Sequence, residues 1–322
     1  MKILFIGTGG IGGRHAASVR ALRPMAELIA VRSEHNETTR KLKMTLVPTL
    51  KSGLALNPTA AIIALPPALH AETASPVLVN GVAVYVEKPI ATNCSDLKDI
   101  VADAEHKGVV TMTGCNLRFL PAFRKISDII SKGQLGRITC ASLSVGQWLP
   151  DWRKGRDYRE TYSASAKMGG GVIRDLIHEI DLARFWFGEF TAVTAVAGNT
   201  GTLEIDCEDH ADIVLSSDQL DVSVHLDYLD RKGHRIGRII GDAGTLTYDA
   251  VLGYLDSYKV KGRVQERIAG PEAFDIPGSA HASMAHFLDS LDTNTPTDQP
   301  LSQGLLSLEL VEKAQKSAGL AK

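Results

Sequence analysis

A short apolar run, Ile3-Leu4-Phe5-Ile6, stops against Gly7-Thr8-Gly9-Gly10-Ile11-Gly12, and this junction constrains the fold more than any other stretch of the chain. The spacing is GxGxxG. Its first glycine permits a tight turn, its second lets a ligand approach the backbone, and its third lets the next helix pack closely. Over residues 11–22 apolar side chains recur at three- and four-residue spacing, as on a helix that covers a sheet. A strand running through such a turn into a helix opens a parallel α/β layer, with free backbone N–H groups facing a diphosphate.

The same rhythm continues to about residue 115. Strands are predicted at 2–6, 27–31, 60–65, 82–86 and 109–113, and helices at 11–22, 70–79 and 95–105. After that the order changes to a helix at 122–131 and a series of strands at 138–145, 192–197, 211–215, 220–228, 235–240, 245–248 and 255–260. Residues 220–228 alternate strictly, with Leu220, Val222, Val224, Leu226 and Tyr228 on one face and Asp221, Ser223, His225 and Asp227 on the other. That pattern predicts an antiparallel strand covered on one side. Gly241-Asp242-Ala243-Gly244 supplies a turn, and helices at 281–291 and 301–318 close the chain. The expected fold class is α/β. Residues 1–118 form a Rossmann domain with a doubly wound parallel sheet, and residues 119–322 form an α+β domain with a large, mainly antiparallel open sheet. The last helix, 301–318, is expected to pack back on the first domain.

Charge narrows the partners. The 35 Lys+Arg nearly balance the 37 Asp+Glu, giving −2, so no overall field draws the chain to nucleic acid or an anionic membrane. Cys94, Cys115, Cys140 and Cys207 lie far apart without a CxxC pair, which fits reduced thiols better than zinc ligands or disulfides. The first apolar run is too short for a signal peptide, and no stretch nears the roughly 20 apolar residues of a membrane span. A cytoplasmic protein is expected.

A dinucleotide is the ligand that the glycine turn implies. At the end of the second strand, about 20 residues beyond the turn, an acidic residue would bind the adenine ribose of NAD. Here Arg32-Ser33 stands there, matched to a 2′-phosphate, so NADP is preferred. NAD with Glu34 on the ribose is the alternative. Glu87-Lys88-Pro89 follows the fourth strand, at the carboxyl edge where doubly wound sheets bind ligands.

Taken with the glycine turn, Glu87-Lys88-Pro89 resembles the Gfo/Idh/MocA family of glucose-fructose oxidoreductase and inositol dehydrogenase relatives. Further resemblances are Pro66-Pro67 with His70, Asn116, Arg118-Phe119, Gly133 with Leu135-Gly136, Gly169-Gly170-Gly171 leading to His178-Glu179-Ile180-Asp181, and Gly241-Asp242-Ala243-Gly244-Thr245-Leu246. The likeness implies an NAD(P)-dependent oxidoreductase acting on a sugar, sugar acid, polyol or nucleotide sugar, with Lys88 beside the nicotinamide. It implies cofactor contacts from Gly7, Thr8, Gly9, Gly10, Ile11, Gly12, Arg32, Ser33, Leu65, Pro66, His70, Glu87, Lys88, Pro89 and Asn116. It also implies a cis Lys88–Pro89 bond and a homo-oligomer, dimer or tetramer, built through the open sheet.

A lysine of lowered pKa suits both proton removal in oxidation and proton return in reduction. The resemblance implies Lys88, His178 and Asp175 as the catalytic group, with the histidine beside the substrate hydroxyl as proton relay or orienting donor. In relatives an aspartate often precedes the histidine by four positions. Here Arg174 holds that position and Asp175 stands three before His178. On one continuous helix Arg174, Asp175, His178 and Asp181 would share a side. The loop Trp148-Leu149-Pro150-Asp151-Trp152-Arg153, continuing through Arg156, Tyr158 and Arg159, has aromatic faces for sugar rings and guanidinium groups for an anionic substrate. Expected substrate contacts are Lys88, Arg118, Trp148, Trp152, Arg156, Tyr158, Arg159, Arg174 and His178. No metal is expected, since neither the His178 region nor Asp206-Cys207-Glu208-Asp209-His210 has HExxH spacing. The alternative function is a non-catalytic NADP(H)-binding sensor or assembly protein on the same fold.

Overall fold

The structure, a computed structural model, describes residues 1–153, 155–259 and 262–320. Its contacts divide into two units: Met1–Asn116 with Ala280–Leu308, and Leu117–Ser279 with the residues from Glu309 onward.

The first unit is a parallel sheet of β1 (Lys2–Ile6), β2 (Glu27–Val31), β3 (Thr45–Val47), β4 (Ala60–Ile63), β5 (Ala83–Val86) and β6 (Thr111–Thr113). Their spatial order is β3-β2-β1-β4-β5-β6. Ile3, Leu4, Phe5, Ile62, Ile63, Val84 and Val86 are wholly buried. Burial on both faces is why these strands read as continuous apolar runs and not as alternating ones. The helices are α1 (Gly10–Leu22), α2 (Glu37–Lys41), α3 (Leu50–Leu54), α4 (His70–Val79) and α5 (Lys98–His106). The sheet grows outward in both directions from β1 and β4, and the carboxyl ends of strands at such a switch point are where doubly wound sheets bind ligands.

Two differences from the sequence reading have simple causes. β3 has three residues and lies at a sheet edge, too short to carry a periodic signal. Residues 280–308 belong to the first unit because Gln299 O accepts from Thr113 N at 2.8 Å and Leu301 N donates to Thr111 Oγ1 at 3.0 Å. Phe287 meets the Tyr85 ring edge-on at 5.7 Å.

The second unit carries α6 (Pro121–Ser131), α7 (Val172–Asp175), α8 (His178–Phe187) and an eight-stranded sheet. Its strands are β7 (Ile138–Gly146), β8 (Ala192–Gly198), β9 (His210–Ser216), β10 (Asp221–Asp227), β11 (His234–Gly241), β12 (Gly244–Asp249), β13 (Tyr254–Tyr258) and β14 (Val264–Ala269). Their order is β14-β13-β12-β11-β7-β10-β9-β8. All neighbours are antiparallel except β7 and β10, which run parallel. The expectation that residues 220–228 form a purely antiparallel strand is thereby corrected: alternation records a one-sided cover and is blind to strand direction.

Ala141, Leu143 and Val145 of β7 and Val222, Val224 and Leu226 of β10 form the covered face. Phe123 of α6, Trp186 of α8 and Tyr248 of β12 meet edge-on within 6 Å, each such pair worth about 1 kcal/mol beyond its buried area. On the opposite face Ser142, Asp212 and Ser223 are exposed, but Asp227 is buried, accepting from Leu229 N and Asp230 N at 2.7 Å. β14, Val-Gln-Glu-Arg-Ile-Ala, is an exposed edge with no alternation to read. Val260, the expected end of the strand at 255–260, lies outside the described residues. The closing helices are α9 (Ile276–Thr293) and α10 (Leu301–Ser317).

Candidate functional site

In the first unit the glycine turn has two kinds of glycine. A Cβ on Gly7, whose φ is +94°, would lie 2.2 Å from Ala64 O, and one on Gly12 would lie 2.1 Å from Gly7 O. The fold itself excludes side chains there. At Gly9 and Gly10 a Cβ would meet no protein atom within 4 Å, so internal packing does not require glycine. These two face open space at the start of α1, whose first turn has no side-chain cap and no acidic residue. An uncapped helix end beside an open glycine backbone fits the diphosphate of a dinucleotide. Thr8 is buried beneath this turn, and Ile11 is exposed beside it.

Arg32 follows β2, with Ser33 exposed next to it. Its Nη1 donates to Thr8 Oγ1 at 3.1 Å and its Nε to Glu34 O at 2.8 Å. Asn36 Nδ2 donates to Thr8 O at 2.9 Å, so two polar side chains bind this loop to the glycine turn. Sequence reasoning missed Asn36. Its signal was present, because Asn36 and Thr39 form the capping box of α2.

The loops after β4 and β5 are tied together by His70, which is fully buried. Its ring nitrogens lie 2.8 Å from Leu65 O and Pro89 O, and burial pushes its pKa down. The expectation of a direct cofactor contact from His70 is therefore corrected: it holds Leu65 and Pro89, whereas Leu65 and Pro66 are half-exposed. Glu87 is likewise committed to the protein. It is buried, lies 2.6 Å from His15 Nε2 and accepts from Lys88 N at 3.2 Å. The His15–Glu87 pair, between α1 and the end of β5, carried no motif that would have revealed it. Lys88 is half-buried and joined to Pro89 by a cis bond. Asn116, also half-buried, ends this portion of the unit.

In the second unit residues 172–187 form two helices in place of one. The backbone breaks at Leu176 and Ile177, so the predicted side shared by Arg174, Asp175, His178 and Asp181 is not continuous. Asp181 is buried and takes both arms of Arg118, at 2.8 and 2.7 Å. Arg118 is thus a buried structural partner and not the expected substrate contact. Asp175 is buried and accepts from Tyr162 Oη at 2.8 Å, Ser163 Oγ at 2.6 Å and Tyr228 Oη at 3.2 Å. Those three hydroxyls come from distant positions and were missed for that reason. His178 begins α8 and is half-buried.

The aromatic loop is more self-occupied than its composition implied. Arg231 covers one face of Trp148 at 3.8 Å, and Trp152 packs edge-on against Tyr228 at 5.3 Å. Tyr158 Oη accepts from Glu204 N at 3.1 Å. Arg159 is held by Asp157 at 2.6 Å and Glu204 at 3.1 Å, and Arg156 donates to Glu160 O at 3.2 Å. The expected anion grip of Arg159 is therefore already filled by carboxylates. The acidic run after 205 is similarly used: Asp206 caps Ala166 N at 2.6 Å, and Asp209 takes Thr200 N and Oγ1.

These elements define a protein with a dinucleotide-binding Rossmann unit and a second unit built on a one-sided, eight-stranded sheet. The chain belongs to the GFO/IDH/MocA oxidoreductase family: residues 1–115 match its "Oxidoreductase family, NAD-binding Rossmann fold" model and residues 123–247 its "GFO/IDH/MocA C-terminal domain" model. It is similar to levoglucosan dehydrogenase of Pseudarthrobacter phenanthrenivorans, 33% identical over 136 residues, which is 42% of this chain and 34% of that protein. Inositol 2-dehydrogenase of Rhizobium meliloti is 27% identical over 203 residues, covering 60% and 57%. The chain thus matches about a third of the first of these relatives and just over half of the second. Among solved structures, levoglucosan dehydrogenase in complex with NADH and levoglucosan has a TM-score of 0.87 at 18% identity, covering 99% of this chain and 97% of its own. That likeness is one of fold.

Proposed function

We propose that this chain transfers a hydride between a nicotinamide dinucleotide and a secondary alcohol or ketone of a sugar, sugar acid, polyol or nucleotide sugar. The observation that carries the reading is the open backbone at Gly9 and Gly10, in the same unit as Lys88 at the carboxyl end of β5. When bound, the nicotinamide supplies the hydride acceptor or donor. Lys88 holds the proton that the hydroxyl loses in oxidation and returns it in reduction. Glu87, fixed by His15, accepts from the Lys88 backbone N–H and so sets the start of the lysine loop. His70 fixes the other side of the same loop through Pro89 O. His178 donates to or accepts from the substrate hydroxyl, and the Asp175 carboxylate holds the preceding turn in place by its hydroxyl bonds. The names of levoglucosan dehydrogenase and inositol 2-dehydrogenase support a cyclic polyhydroxy substrate.

NADP is the preferred cofactor in this reading, because the end of β2 offers Arg32 and Ser33 where an acid would favour NAD. A KM for NADH well below that for NADPH would reverse it. Self-association through the open sheet face is part of the same proposal, supported by exposed Val196, Val214 and Ile236 on β8, β9 and β11. The four free thiols support a cytoplasmic setting. The test of the function is the reduced-nicotinamide absorbance band followed across a panel of sugars, sugar acids and polyols. Cofactor-linked turnover of one class is the expected result. Tight NADPH binding with no turnover of any class would replace the enzyme with a cofactor-reporting sensor.

A further inference from the structure

The arginines around α7 and α8 are nearly all spent. Arg118 grips Asp181, Arg184 pairs with Glu189 at 2.5 Å, Arg235 pairs with Glu179 at 2.7 Å, and Arg153 lies over the Tyr162 ring at 5.1 Å. Arg174 differs. Its Nε is buried with no hydrogen-bond partner, and among the described residues no carboxylate lies within 4 Å of its guanidinium. A desolvated N–H without an acceptor costs stability, and a charge-assisted oxyanion contact would recover that cost. The neighbouring acid that it influences is Glu208, which is buried and bonded to Ile173 N at 3.3 Å. Burial raises the Glu208 pKa and the Arg174 charge lowers it, so the two side chains attract each other without a hydrogen bond between them.

The local backbone explains why the arginine is left over. Gly171, at φ +106°, turns the chain into the single helical turn of α7. A Cβ there would lie 2.5 Å from the Glu208 carboxylate, so the turn is seated tightly on that acid. Asp175 spends its carboxylate on three hydroxyls, whereas Arg174 projects about 100° away around the turn. His178 lies four residues further on, across the break at Leu176 and Ile177.

We propose that Arg174 is the anion anchor of the substrate site and that the sugar carries an oxyanion, a carboxylate or a phosphate. This rests on the sugar oxidoreductase reading above. It replaces Arg159 with Arg174 as the source of anion recognition, since Arg159 is occupied by Asp157 and Glu204.

The test is a binding titration of hexuronates, aldonates and hexose 6-phosphates, each beside its neutral hexose or alditol, with and without saturating NADH. The parent protein is expected to bind at least one anionic class tenfold or more tighter than its neutral counterpart. Comparison of the uronate and phosphate arms identifies which oxyanion it is. Arg174→Gln erases that preference, and Arg174→Lys keeps part of it, because charge survives while the two-pronged geometry is lost. NADH and NADPH affinities stay unchanged in both variants, which also reports an intact fold. The proposal is overturned if anionic probes bind no better than neutral ones, if Arg174→Gln binds them like the parent, or if that variant loses cofactor affinity instead. Failure of the parent to bind either nicotinamide would overturn the dehydrogenase reading separately, with anion binding still readable in the cofactor-free arm.

Discussion

At Gly9 and Gly10 an added methyl group would touch nothing, whereas at Gly170 it would meet Tyr162 O at 2.3 Å and at Gly171 the Glu208 carboxylate at 2.5 Å. Both glycine turns lead into helices, and in the amino-acid string they look alike. The first leaves room for a molecule from outside, and the second is closed by its own protein. A glycine run therefore records that something comes close without recording what. In the first turn Gly7 and Gly12 are closed by Ala64 O and Gly7 O while Gly9 and Gly10 stay open; in the second the neighbours are Tyr162, Ser163 and Glu208.

The most drastic way to break this comparison is at Lys88, in the unit that leaves room. Lys88→Ala should lower turnover about a thousandfold, the scale of a lost general acid–base, with cofactor affinity changed by less than about twofold. Stopped-flow or steady-state rates beside NADPH titration measure both, and retained turnover removes Lys88 from the chemistry. At the closed turn, Gly171→Ala should cost about 3 kcal/mol, combining left-handed strain with overpacking, read as the denaturant midpoint. Asp175→Asn should cost about 2 kcal/mol, because a buried charged acceptor of three hydroxyl bonds is replaced by a neutral one. A thermal melt unchanged from the parent would contradict that.

Gly9→Ala sharpens the contrast from the other side. It should weaken NADPH binding about tenfold while stability moves by less than about 1 kcal/mol, and the reverse pattern would make the first turn a packing device as well. The smallest effect lies on the open sheet face. Its Asp227 and Asp212 partners raise the His225 pKa to about 9. With the folded value above the unfolded one, the stabilisation is complete below about pH 6.5 and is lost as pH rises through about 9. Half-exposure makes it modest. Melting curves from pH 6 to 10 should fall less steeply for His225→Gln than for the parent.

Much of the first unit could be read in advance because its physics is local. A strand, a glycine turn and an apolar-striped helix lie within Lys2–Leu22, and the burial of β4 and β5 on both faces leaves apolar runs in the string itself. The second unit is legible only in part. The strands β7 and β10 were both legible but not that they run parallel, and the stripe after Gly171 concealed a break at Leu176 and Ile177. The site residues divide in the same way. Motifs pointed to Gly7, Gly9, Gly12 and Lys88, whereas the partners of Glu87 and Asp175 come from across the fold, from His15, Tyr162, Ser163 and Tyr228. No spacing rule announces such pairs. The arginines teach the complementary lesson, since composition cannot say which guanidinium is already occupied.

The side-by-side run of β7 and β10 has a consequence for how the second unit is made. The two strands pair Ala141 with Val222 and Gly146 with Asp227, so the whole segment from 147 to 220 must be drawn into a loop before the middle of the sheet can zip. Hairpins such as β11–β12, joined by two residues, need no such loop, because their ends are never far apart. The centre of this sheet, which leads into Tyr228 beneath Asp175, therefore carries the larger loop-closure cost of the two kinds of pairing.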